Sequence, residues 1–207
     1  MDRLVTAAPP PPTHVGSHFY WPSVTESPVL GGPVRPEGAV LGVARQLVPD
    51  IELAFDQTQV ALNIPPYRHR PGRPHIDACD PTGGAPRTFT LLAAVFLTDQ
   101  TGPHQGNLWI WPGTHQVHAA FFARSGPEAF NAAHGYPPIP VPKPVQIQGQ
   151  AGDVLFAHYL LGHNIGGNYQ SDQTRGELYW RLRAPGHAER WADCLADAWL
   201  EYPALQR

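Results

Sequence analysis

The chain has 207 residues, 42% of them hydrophobic, with a formal net charge of −3 and only 14 Lys plus Arg. That length suits one domain able to bury its own core, and so few cations exclude a surface that tracks nucleic-acid phosphates. No run approaches the roughly 18 apolar residues of a membrane span.

Two cysteines, Cys79 and Cys194, make no disulfide framework, and the N-terminus lacks an apolar signal core. The expectation is a cytoplasmic protein with no membrane and no nucleic-acid partner. The 25 Pro and 20 Gly are together about a fifth of the chain. Proline is excluded from helix interiors and central strands, so short strands joined by turns fit better than helices.

Residues 1–40 read as a Pro/Gly-rich N-terminal arm, and 41–207 as the folded domain. Within the arm, Phe19-Tyr20-Trp21 is too aromatic for idle linker and is expected to pack on the body or line a site. A short helix is predicted from Ala39 to Leu47, ended by Pro49. Glu52 to Ile64 reads as a strand. Gln57, Gln59, Ala61 and Asn63 fall on one side of it, and Thr58, Val60 and Leu62 on the other. The apolar side meets core, while the amide-rich side faces either a cavity or solvent.

Pro65 to Pro74 must be loop. His75-Ile76-Asp77 follows, and in extended backbone residues i and i+2 point the same way. An imidazole and a carboxylate then converge, as two ligands of a 2-His-1-carboxylate triad would. Thr88 to Thr98 is a nearly continuous apolar run and reads as a central strand buried on both faces. Asn107 to Trp111 is a short strand, residues 115–123 a helical piece, and the proline-rich 135–144 a lid or rim. Val145–Gln148, Val154–His158 and Glu177–Arg183 read as further strands. In Glu189–Tyr202 the apolar residues Trp191, Leu195, Ala198, Trp199 and Tyr202 recur at helical spacing, which predicts a helix over that range.

A third metal ligand must come from a distant strand, and His163 and His158 both lie in the run GDVLFAHYLLGH. Arg175, twelve residues beyond His163, opens the strand RGELYWRLR. Facing a cavity, it would need an anionic partner, and a guanidinium pairs well with a carboxylate.

The ordered pieces PPYRHRPGRPHID, LTDQTGPHQGNLWIWPGTHQ and GDVLFAHYLLGHNIGGNYQSDQTRGELYWRL resemble the phytanoyl-CoA dioxygenase family of iron(II)/2-oxoglutarate oxygenases. The resemblance spans about residues 57–183. It implies an all-β core with peripheral helices, a double-stranded β-helix or jelly roll of cupin type. His75, Asp77 and His163 match the iron ligands, and Arg175 matches the arginine that binds 2-oxoglutarate. Asn168 and Ser171 match the intervening turn. Ile165 stands where a hydroxyl residue often occurs.

The implied cofactors are Fe(II), 2-oxoglutarate and O2, and the implied reaction is oxidation of a C–H bond in a small molecule. Asp77 fills the position that the family's halogenases leave to chloride, so hydroxylation or a related oxidation is expected rather than halogenation, with desaturation, ring closure and epimerisation open at the same centre. Asn63 is expected near the co-substrate, and Gln57, Gln59, Tyr179 and Trp109 near the substrate. The alternative from another class is a cupin-type metal or small-molecule binding protein that is non-catalytic or independent of 2-oxoglutarate. Oligomeric state is not legible.

Overall fold

The computed structural model describes residues 9–14, 16, 18–21, 27–77, 87–132 and 137–206; for residues 14, 19–21, 55–57, 131 and 132 it describes the backbone alone. Cys79 and the 135–136 part of the proline-rich segment lie outside the described residues, as do the side chains of Phe19, Tyr20, Trp21 and Gln57. Among the described residues no helix is long and apolar enough to cross a membrane.

Among the described residues, eight strands form two antiparallel sheets. The larger contains β1 (His18–Trp21), β2 (Glu52–Asn63), β3 (Leu91–Phe96), β6 (Val154–His158) and β8 (Arg175–Arg183), in the order β1-β2-β8-β3-β6. The smaller contains β4 (Leu108–Ile110), β5 (Val145–Gln146) and β7 (His163–Ile165), in the order β5-β4-β7. A cavity lies between them, lined from both, which is the arrangement of a double-stranded β-helix. Part of the N-terminal arm enters the sheet as β1, whose His18 pairs with Asn63 of β2.

Strand alternation divides the larger sheet into an inner and an outer face. Val60, Leu62, Leu178, Trp180, Leu182, Leu91 and Ala93 are buried together with Val40, Leu41 and Ala44 of helix α1 (Ala39–Leu47). The α1 stripe at i, i+1 and i+4 gives that helix one apolar face, and burial of that face against the sheet stabilises it. The apolar run at 91–96 becomes the β3 strand, hydrogen-bonded on both sides by β8 and β6. The opposite face carries Gln59, Ala61 and Asn63, aligned with Tyr179, Glu177 and Arg175 of β8. That face meets the cavity rather than solvent.

At the far end of the inner face, α2 (Thr114–Ser125) and α3 (His187–Ala196) cover Leu92, Ala94, Phe89 and Tyr179 with Phe122, Ala119 and Leu195. The predicted C-terminal helix is shorter than its apolar spacing suggests. It ends at Ala196, because Asp197 is extended (φ −132°) and its carboxylate accepts the Trp199 N–H at 2.9 Å. Asp side chains compete with helical hydrogen bonding in this way. Ala198 and Tyr202 are still buried, delivered by a turn rather than a helix.

A buried polar network pins this end of the chain to β3. Glu201 accepts hydrogen bonds from the Thr90 hydroxyl at 2.7 Å and pairs with His187 Nδ1 at 2.8 Å, while His187 Nε2 meets the Thr88 hydroxyl at 2.9 Å. Tyr202 donates to the Thr90 carbonyl at 2.6 Å. Burial alone would push the Glu201 carboxyl up, but the His187 and Thr90 hydrogen bonds outweigh it and hold the carboxyl below its ordinary value. A depressed carboxyl contributes stability above the ordinary carboxylate range, about pH 4, and loses it as pH falls through the folded value. Glu201→Gln should therefore lower Tm at neutral pH and flatten its decline below about pH 4. Thermal unfolding of both proteins across pH 2.5–8 checks this; parallel acid limbs would remove Glu201 from the account.

Candidate active site

His75 and His163 are joined by a two-way backbone bridge, with His75 N–H donating to the His163 carbonyl (2.9 Å) and His163 N–H to the His75 carbonyl (3.1 Å). Directly paired antiparallel residues carry their side chains on one face. The two imidazole centroids are accordingly 4.4 Å apart. Asp77, two residues along, turns its carboxylate to the same point. Its Oδ1 is 3.4 Å from His75 Nε2 and 3.6 Å from His163 Nε2. One ligand atom from each residue lies within 4.8 Å of the others, a spacing that can close around one ion. Two imidazoles and one carboxylate fit a ferrous ion and leave coordination positions open.

The surroundings orient two of the three ligand side chains, His163 and Asp77. His163 Nδ1 lies 2.9 Å from the Leu161 carbonyl, which fixes the proton there and leaves Nε2 as the free lone pair. Arg181 donates to Asp77 Oδ2 through Nη2 at 2.7 Å and Nε at 3.2 Å, and through Nη1 to Gln59 Oε1 at 3.1 Å. One carboxylate oxygen is thus held by the guanidinium and the other faces the imidazoles. Burial would raise the Asp77 carboxyl, but the His163 and His75 imidazoles and Arg181 hold it well below the usual range. The same carboxylate raises His163 against the effect of its burial. His75 is the exposed member, with 45% of its side chain accessible against 12% for His163. It marks the open side of the site.

A cavity of about 160 Å³ adjoins these ligands. Gln59, Asn63, Tyr179 and Arg181 give it polar groups, Leu92, Leu108 and Ile165 an apolar wall, and β1 adds His18. No residue-spacing signal in the sequence marks His18 or the Arg181–Asp77 contact. The latter joins residues 104 apart.

The other residues singled out above are distributed as follows. Asn63 lines the cavity but its amide is committed, donating to the Gly166 carbonyl at 2.7 Å and the Gly106 carbonyl at 3.3 Å. Trp109 belongs to the face of β4 opposite Leu108. It borders a separate groove with His69, Arg70, His104 and Tyr169, and it is not among the residues lining the cavity. The reason is register: Leu108 pairs with Ile165 and Ile110 with His163, so Trp109 and Asn164 point away. His158, the rival ligand, bonds the Ala198 carbonyl at 2.7 Å, and burial drives its imidazole down to about 3. It is held neutral among Tyr202, Tyr159 and Trp199. Asn168 ties the loop after β7 to the end of β2, donating to the Asn63 carbonyl at 3.0 Å. The Ser171 hydroxyl accepts the Gln173 N–H within the turn before β8.

Arg175 is 1% exposed, and its stem is covered by Gly106. The backbone there has φ +86°, and a Cβ would fall 2.7 Å from that of Arg175. Its guanidinium is in direct contact with the fully buried Glu177 carboxylate. It does not line the cavity. The donor set of His75, Asp77 and His163 therefore fits an iron ion, whereas the Arg175 charge is already compensated by Glu177 and does not present an open seat for the far carboxylate of 2-oxoglutarate.

No protein-family model matches the chain, and no curated protein matches it by sequence. Solved structures do. The crystal structure of HygX from Streptomyces hygroscopicus with nickel and 2-oxoglutarate bound matches at 16% identity and TM-score 0.54, over 89% of this chain and 75% of that one. SnoN, a non-heme alpha-ketoglutarate-dependent epimerase from nogalamycin biosynthesis, matches at 18% identity and TM-score 0.56, over 88% and 69%. EvdMO1 matches at 22% identity and TM-score 0.54 over 81% of this chain, which spans 36% of that longer protein. At these identities the likeness is one of architecture: the chain has the double-stranded β-helix fold shared with HygX and SnoN.

Proposed function

We propose that this chain is a mononuclear iron(II) oxygenase of the 2-oxoglutarate-dependent type, with iron held by His75, Asp77 and His163. The observation that carries this reading is the convergence of two imidazole Nε2 atoms and one free carboxylate oxygen at the edge of an inter-sheet cavity. HygX with nickel and 2-oxoglutarate, and SnoN with Fe3+, alpha-ketoglutarate and nogalamycin RO, lend support from the same fold.

Ferrous iron with O2 and a 2-oxo acid supplies the oxidising power to break a substrate C–H bond. The chain's own residues do the rest. Arg181 holds one Asp77 oxygen and leaves the other toward the imidazoles, the Leu161 carbonyl orients His163, and Leu92, Leu108 and Ile165 supply an apolar wall. Hydroxylation of a small molecule is the reaction proposed. The cavity is small, so the substrate approaches from the exposed His75 side, with Gln59 and Tyr179 on the cavity wall.

Anaerobic titration with Fe(II) should give one ion per chain, and adding 2-oxoglutarate should produce the weak visible charge-transfer band of its chelate. Absence of stoichiometric metal would end this reading. The Arg175–Glu177 pair favours one second reading, a metal-binding protein of this fold that needs no 2-oxoglutarate. It predicts the same metal stoichiometry with no band for any 2-oxo acid.

A further inference from the structure

β8 presents Arg175, Glu177, Tyr179 and Arg181 in sequence on the inner face, and the first three close on one another. Glu177 is 0% exposed and touches the Arg175 guanidinium directly. The Tyr179 hydroxyl donates to Glu177 Oε2 and accepts from Arg175 Nη2 at 2.9 Å. From the turn after β3, Gln100 Nε2 donates to Glu177 Oε1 at 3.0 Å, and its Oε1 accepts from Arg175 Nε at 3.4 Å. Tyr179 also lines the cavity, so this closed group abuts the space where a metal-bound 2-oxo acid would extend its tail. Arg175 Nη1 remains buried without a hydrogen-bond partner.

The chemistry of that arrangement is specific. A guanidinium with no carboxylate beside it rewards an incoming carboxylate strongly. One that already holds a buried carboxylate does not. A second anion would leave the dry group with a net negative charge and two carboxylates repelling each other. An uncharged tail meets no such opposition.

We propose that Glu177 is a specificity-determining residue. It supplies from within the chain the carboxylate that Arg175 would otherwise take from 2-oxoglutarate, so a second negative charge on the 2-oxo acid brings no gain in binding. The proposal rests on the reading that a 2-oxo acid binds at the His75–Asp77–His163 site.

The test is binding without turnover. The full chain is loaded with Mn(II), and 2-oxoglutarate and 2-oxopentanoate, which lacks the distal carboxylate, are titrated calorimetrically. Wild type should bind the two within about threefold of each other. Glu177→Gln, close in shape and uncharged, should tighten 2-oxoglutarate about tenfold or more and leave 2-oxopentanoate unchanged, as expected when one like-charge contact is removed. A wild-type preference for 2-oxoglutarate above about tenfold overturns the proposal without any variant, and so does a Glu177→Gln protein that binds 2-oxoglutarate no more tightly. In both cases the oxygenase reading stands. If the Mn(II)-loaded chain binds neither acid, that reading fails and the proposal with it.

Discussion

Asp77→Ala should abolish stoichiometric iron binding, with a loss in affinity of more than about a hundredfold. The scale follows from what surrounds a metal ligand: even an outer partner that only orients a ligand is worth about ten- to a hundredfold. Asp77 is more than that. Its Oδ1 is the anionic member of the triad, 3.4 and 3.6 Å from the two imidazole nitrogens. Without it, two neutral donors and the nearby Arg181 guanidinium remain, and that cation opposes a divalent ion. Arg181→Gln supplies the graded comparison. It keeps all three ligands but frees Asp77 Oδ2, so its loss should stay within about ten- to a hundredfold. Asp77 lies at the cavity wall rather than in either apolar cluster, so Asp77→Ala should stay folded near pH 8. Calorimetric titration with Mn(II), paired with circular dichroism, separates lost binding from lost fold. Metal affinity of Asp77→Ala within threefold of wild type would place the ion elsewhere.

Much of this architecture is readable from period alone. The alternation in Gln59–Val60–Ala61–Leu62–Asn63 separates a core face from an amide face, because side chains alternate along a regularly paired stretch of strand. The apolar run 88–98 reads as a doubly buried strand from its continuity and its flanking Pro and Gly, since period alone would also allow a buried helix, and its 91–96 part is the β3 strand paired on both sides. His75 and Asp77 share a side by the two-residue rule, and β8 puts Arg175, Glu177, Tyr179 and Arg181 on one face. What alternation does not carry is who touches whom across that face. Arg175 meets Glu177 because Gln100 and Tyr179 bracket the pair, and Gln100 is 75 residues away in sequence. On a very short strand parity also leaves open which side faces inward. β4 has three residues, so only its register against Ile165 and His163 decides that Leu108 faces the cavity and Trp109 does not. The end of α3 is a local competition, in which the Asp197 side chain captures a backbone N–H that the apolar spacing through Tyr202 had reserved for a helix.

Arg175→Met should destabilise the fold more than most single changes, by about 3–5 kcal/mol, because it leaves the Glu177 carboxylate in a dry site with no cation. For a chain of this size that corresponds to a fall in Tm of roughly 6–20 °C. The replacement keeps most of the aliphatic stem that packs under Gly106, so cavity formation adds little and the electrostatic part is isolated. The double variant Arg175→Met/Glu177→Leu removes both charges. Buried ion pairs replaced whole by apolar groups are often neutral in stability, since neither ion then has to be desolvated. The double should therefore recover at least about half of the loss, short of the full amount because the Gln100 side chain and the Tyr179 hydroxyl each lose both of their partners in the pair. Thermal and denaturant unfolding of wild type, the single and the double close the cycle. An Arg175 sitting in an open anion seat would behave otherwise: the single change would cost little stability, and the double would be no better than the single. That pattern would mean Glu177 does not hold the guanidinium, and that the charge of Arg175 is available to a ligand after all.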